Sequence, residues 1–202
     1  MTQSTRDRMI LGAADLLRRR GVCATSVREV VRHSATPRGS IAYHFPGGKQ
    51  QLLEAAVEYS GREVSIPLAE LLAQHGPLVG LEHFVARWRQ MLEETDYQAG
   101  CAVLAVAVEQ YSSEQRGNAS PEQDQRFHEQ LLDQANAIFR EWQGIISQSL
   151  LNSGTSEARA MSLAVLVIAS IEGSVALCRA ARSAAPLNAI WQELRRALEG
   201  TT

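Results

Sequence analysis

The sequence predicts an all-α protein with a small N-terminal head and a larger helical body. Two observations predict it. No stretch shows the sustained apolar/polar alternation, bounded by hairpin turns, of a half-buried strand. Apolar residues recur instead at three- and four-residue spacing along most of the 202 residues, interrupted by glycines and prolines. A hydrophobic content of 45% supplies one sizeable core, or a small domain joined to a larger one.

Each element carries its own start and stop. Met9, Ile10, Ala13, Leu16 and Leu17 form the first stripe, and Gly21 offers its C-terminal stop. Ser26-x-x-Glu29 has the capping-box form, with Thr25 a competing cap. A short second helix then runs to about His33, with Val27, Val30 and Val31 inward. Thr36-Pro37 opens a third helix, since threonine caps and proline tolerates the first helical position; it ends before Pro46-Gly47-Gly48. A fourth begins near Lys49 and continues towards Glu63. Pro67, Gly76-Pro77 and Gly100 punctuate further helices over roughly 80–94 and 101–114. Residues 112–125 are polar and read as a surface loop. Long apolar stripes follow over roughly 121–152 and 156–183, and Pro186 opens a last short helix ending near Leu198.

Charge is divided along the chain. The net charge is only −2, yet residues 1–50 carry nine Lys and Arg against three Asp and Glu. The head is therefore +6 and the remainder −8. A basic head on an acidic body points to a polyanion at the head alone. Cys23, Cys101 and Cys178 are odd in number, far apart and without a C-x-x-C pair. That argues against a disulfide framework or zinc site and fits a reducing cytosol. The N-terminus lacks the apolar run of a secretory signal. Residues 161–178 are apolar but contain Glu172 and barely reach the ~18–20 residues of a membrane span, so they read as a helix buried in protein. The expected location is the cytoplasm, with no membrane partner.

Two short helices separated by a turn of about four residues make a helix-turn-helix, whose second helix enters the major groove of double-stranded DNA. The candidate contacts are Thr36, Pro37, Arg38, Gly39, Ser40, Tyr43, His44 and Lys49, with Thr25, Ser26 and Arg28 from the preceding helix. Arg38 can donate two bonds to a guanine edge or one to a phosphate. Gly39 lets backbone approach DNA closely. Ser40 and Thr36 can donate to phosphate oxygens.

Residues 25–53, TSVREVVRHSATPRGSIAYHFPGGKQQLL, resemble the DNA-binding head of the tetracycline-repressor (TetR) family of transcriptional regulators. The resemblance is strongest in Arg38-Gly39-Ser40-Ile41, in Tyr43 through Lys49 and in Leu52-Leu53, and extends back through Ile10, Ala13, Gly21, Thr25 and Val30. Gly100 through Leu104, Glu109 and Ile171-Glu172-Gly173 resemble the ligand domain of the LmrA/YxaF-type subgroup. Two departures stand out. The family often has Ala-Gly-Val in the turn where this chain has Ser34-Ala35-Thr36, and two aromatic residues before the histidine where this chain has Ala42-Tyr43. The resemblance implies a homodimeric repressor on an inverted-repeat operator, released by a small effector.

Dimerisation also follows from the head. Two recognition helices must reach successive major grooves, roughly 34–36 Å apart or a multiple of that. The last two long helices carry the apolar stripes a four-helix dimer surface would bury. The body is the expected effector domain, with domain limits of 1–50 for the head, a connecting helix to about 63, and 64–202 for the body. Its candidate effector residues are Phe84, Trp88, Met91, Cys101, Tyr111, Phe127, Trp142 and Glu172, an aromatic set suited to a hydrophobic or aromatic compound, though such stripes also serve as plain core. Glu172 stands out as a carboxylate flanked by Ile168, Ile171 and Val175 that must find a partner or stay protonated. No cofactor, metal site or enzyme is expected. H-E-x-x-H and repeated Glu-x-x-His motifs are missing, the five histidines are scattered, and Gln50 after Lys49 breaks the P-loop pattern. The competing classes are an enzyme on a helical bundle and a DNA-binding protein without an effector.

Overall fold

A computed structural model describes residues 3–109 and 121–200 of the chain. The described residues form eight helices and no strand. Local chemistry sets most of the ends. Ser4 caps α1 (Thr5–Ala24) by accepting from the Asp7 N–H. Gly21, at φ 79°, breaks α1 before its end. The capping box opens α2 (Val27–His33): Ser26 Oγ accepts from the Glu29 N–H and donates to the Glu29 carboxylate, both at 3.3 Å. Val30 and Val31 are buried and Val27 is half-buried.

Two sequence expectations need correction. The third helix, α3 (Ser40–His44), begins three residues later than Pro37. Thr36 does not cap it, because Pro37–Gly39 form a turn closed by Ser40 N–H donating to the Pro37 carbonyl. Pro67 does not end a helix either. It lies inside α4 (Gly48–Glu94), whose only non-helical interior residue is Gly76 at φ 72°. That glycine makes a corner, and a Cβ on Gly80 would strike the Leu71 carbonyl across it. The remaining helices are α5 (Ala102–Val108), α6 (Pro121–Asn152), α7 (Glu157–Ala181) and α8 (Ala185–Glu199). The expected extension of α5 to 114 and most of the loop 112–125 lie outside the described residues.

Packing divides the chain into two units: residues up to Gly61 with Ala102–Ile138, and Arg62–Cys101 with residues from Phe139 onward. This cut differs from the sequence division between head and body, since α5 and the first half of α6 pack with the head. In the first unit α5 packs along α1. Met9, Leu17, Phe45, Leu52, Val103 and Phe127 are among its buried side chains. Gly61 admits Ile138 closely, and Gln134 Nε2 donates to the Glu54 carbonyl at 3.0 Å.

In the second unit α7 packs on α8, whose Leu187, Trp191, Leu194 and Leu198 are all buried. α7 is apolar on both sides. Leu163, Val167, Ile171 and Val175 are buried, while Met161, Val165, Leu166 and Leu177 are exposed. By length and composition α7 could cross a membrane, with a mean hydropathy of 2.0. Half of that apolar window is nonetheless buried within the protein, and Glu172 sits inside it, as befits a core helix.

Candidate nucleic-acid interface

The turn between α2 and α3 keeps its shape without glycine. Ala35 N–H donates to the Arg32 carbonyl and Thr36 N–H to the Val31 carbonyl, the paired bonds of a Schellman ending. That ending needs a left-handed residue after the cap, and Ala35 supplies it at φ 51°. The glycine expected from the family is thus replaced with the geometry intact, at a backbone cost of about 1–2 kcal/mol.

Beside this turn lies a cleft of about 840 Å³ lined by Ser26, Arg28, Glu29, Val31, Arg32, Ala35, Thr36 and Arg38. Arg28, Arg32 and Arg38 are exposed and have no ion pair among the described residues. Arg32 is absent from the sequence-based contacts, although its i, i+4 spacing from Arg28 places both on one face of α2. A different group of arginines is consumed within the head. Asp15 takes bonds from Arg18 Nε at 2.8 Å and Arg19 Nε at 2.9 Å, and lies 3.0 Å from His33 Nε2. Arg20 reaches Glu29 at 3.2 Å. Burial pushes the Asp15 carboxyl up, but the bonds and charges of Arg18 and Arg19 outweigh it and hold it below its ordinary range.

Two expected DNA contacts are spent inside the fold. Thr25 is 1% exposed, and its Oγ1 donates to the Gly21 carbonyl at 2.7 Å. Thr36 is also buried, with its hydroxyl 2.9 Å from Ser34 Oγ. Both hydroxyls hold corners rather than facing outward. Ser26 is half-buried and occupied as the α2 cap. Pro37, Arg38 and Gly39 are exposed, Ser40 and Lys49 half-buried. Tyr43 is 83% exposed, far beyond what a packing role explains, with half-buried His44 edge-on to it at 4.9 Å. Gly39 has φ −73°, and a Cβ there would meet nothing within 4 Å. Nothing inside the protein requires glycine at this position.

The candidate effector residues do not form one group. Phe84, Trp88 and Trp142 are buried in the second unit, in edge-on pairs of Phe84 with Trp88 and of Phe139 with Trp142, and Met91 is half-buried. Phe127 is core of the first unit, and Tyr111 lies outside the described residues. Cys101 and Glu172 are brought together: both are buried, and the thiol bonds to the carboxyl. Burial pushes the Glu172 pKa up to about 7 against that bond, and Glu172 Oε2 has no partner among the described residues. The described residues contain no group of three or more potential metal ligands.

Comparison with known proteins agrees with this geometry. Residues 10–56 match the family model of bacterial regulatory proteins of the tetR family, and residues 77–193 match that of the transcriptional regulator LmrA/YxaF-like C-terminal domain. An uncharacterised HTH-type transcriptional regulator of Mycobacterium tuberculosis (strain ATCC 25618 / H37Rv) is 37% identical over 97% of this chain and 95% of its own. The HTH-type transcriptional regulator LmrA of Bacillus subtilis (strain 168) is 28% identical over 91% of this chain and 90% of its own. Among solved structures, a TetR transcriptional regulator from Legionella pneumophila superposes with a TM-score of 0.78 at 18% identity, covering 96% of this chain and 97% of its own.

Proposed function

Because the chain belongs to the TetR family of bacterial transcriptional regulators, with an LmrA/YxaF-like C-terminal domain, we propose that it is a cytoplasmic repressor that binds an inverted-repeat operator as a homodimer and is released by a small hydrophobic or aromatic effector. It is a DNA-binding regulator and not an enzyme. The observation that carries the interface is the grouping of Arg28, Arg32 and Arg38, exposed and without an ion pair among the described residues, around one cleft beside the open Gly39. Unpaired guanidiniums supply the phosphate and base-edge donors that DNA requires. Gly39 leaves room for a close-lying backbone.

The exposed apolar side of α7 is the surface for the second copy. The outward residues of the last half of α6 are polar or small, including Arg140, Glu141, Gln148 and Asn152, which makes α7 the main contributor. In the head 1–50 and body 64–202 division, the body takes the effector. Glu172 and Cys101 are its polar handle within apolar surroundings.

Selection of bound DNA from a random duplex library tests the reading. A two-fold repeat is expected, with Arg38→Ala relaxing one position per half-site. Gly39→Ala should fold with an unchanged melting temperature and lose the selected duplex roughly tenfold or more. No preference over random duplex at physiological salt would reject it. A compound that raises the melting temperature while lowering affinity for that duplex would establish the effector arm.

A further inference from the structure

We propose that Glu109 is a positioning residue for DNA recognition: a carboxylate far along the chain fixes the corner from which α2 departs. The inference rests on the DNA-binding reading above. Gly21, at φ 79°, breaks the helical run of α1, and the next two N–H groups both donate to the Glu109 carboxylate. Val22 N–H donates to Glu109 Oε2 at 2.5 Å and Cys23 N–H to Glu109 Oε1 at 2.8 Å. Each oxygen of one carboxylate therefore holds one backbone donor, 87 residues away in the case of Val22. Such charge-assisted bonds are about twice as strong as neutral ones. A Cβ on Gly21 would strike the Glu109 carboxylate, so glycine serves this contact as well as the left-handed backbone. α5 packs along α1 immediately before Glu109 and fixes where the carboxylate stands.

The corner leads directly to the reading surface. Thr25 Oγ1 bonds back to the Gly21 carbonyl, Ser26 caps α2, and Arg28 and Arg32 follow on α2. Glu109 carries the wrong sign to meet phosphate itself, so its effect on DNA passes through the backbone it holds. Specific and non-specific binding separate under this arrangement. Non-specific affinity follows the number of cations near phosphates, while specific affinity needs α2 and α3 in register with base edges.

Glu109→Gln and Glu109→Ala test this against two probes: the duplex selected by the wild-type protein and a scrambled duplex of equal length. Both variants should lose roughly tenfold or more in affinity for the selected duplex. They should keep wild-type affinity and salt slope for the scrambled one, and exchange the Val22 and Cys23 amide protons faster. Gly21→Ala should reproduce the pattern. Unchanged selected-duplex affinity, with or without faster exchange, overturns the inference. So does a parallel loss on both duplexes accompanied by a fall in melting temperature, which would mean that Glu109 merely holds the fold. Should the wild-type protein select no duplex, the DNA-binding reading fails first and takes this one with it.

Discussion

The two units leave opposite chemistries unpartnered. The head exposes charge: three arginines around a cleft whose own acid, Glu29, is taken by Arg20. The other unit exposes apolar area, on the outward side of α7. Each also holds one internal anomaly of the opposite kind. The head keeps a strained alanine at φ 51° in its turn, and the second unit keeps a carboxyl in its core. An unsatisfied surface tells what chemistry its partner must bring. Arginines without acids call for phosphate, and an apolar helix side calls for another apolar side. The same contrast exists within the head. Arg18 and Arg19 pair with Asp15 inside α1, and Arg20 ties α1 to Glu29 of α2, so the head's charge of +6 overstates what DNA can meet.

The largest expected effect breaks the apolar half of this contrast. Val165→Asp places a charge in the middle of the exposed α7 side. If that side is a dimer surface, burial of an unpaired carboxylate costs several kcal/mol and the protein becomes monomeric. The helical content should stay the same, because Val165 is not core. Light scattering reads the mass. A dimer of unchanged strength would remove α7 from the interface.

The buried carboxyl gives a smaller effect with a defined pH window. Glu172 titrates at about 7 in the folded protein against an ordinary 4.5. Between those values the unfolded chain has lost the proton that the folded chain keeps. Stability therefore falls as pH rises from 4.5 to 7 and then levels, a total of roughly 3 kcal/mol. Glu172→Gln is neutral throughout, so it should lack this slope and exceed the parent in stability at pH 8. Melting curves at pH 5 and pH 8 check it, and equal pH slopes in the two proteins would refute it.

The smallest expected effect concerns the head's strained turn. Ala35→Gly relieves the left-handed backbone but gives the unfolded chain more freedom, for a net gain of about 0.5–1 kcal/mol. Denaturant midpoints with unchanged slope would show it. A loss of stability instead would mean that the Ala35 methyl contributes packing worth more than the strain it carries.

Much of the site was legible before the structure because it depends on local chemistry. The capping box at Ser26 and Glu29 and the break at Gly21 are short-range signals, and they lie where the sequence puts them. Charge counting also located the basic end. What failed was the fate of individual side chains. A threonine at a helix start can face solvent or fold back, and Thr25 and Thr36 fold back because the Gly21 carbonyl and the Ser34 hydroxyl stand within reach. Pro67 punctuates a sequence but costs a helix only one hydrogen bond and a local adjustment, which a long packed helix absorbs.

Because periodicity, caps and a contiguous motif are written locally, the amino-acid sequence was enough to establish that this protein is helical and which family it joins. Packing alone decided that Arg20 pairs with Glu29, since that contact depends on how α1 meets α2, whereas Arg18 and Arg19 reach Asp15 at the spacing of a single helix. It alone brought Glu109 to Val22 and Cys23, and Cys101 to Glu172. Those contacts join residues distant in the chain, and no local pattern encodes a meeting that only packing creates.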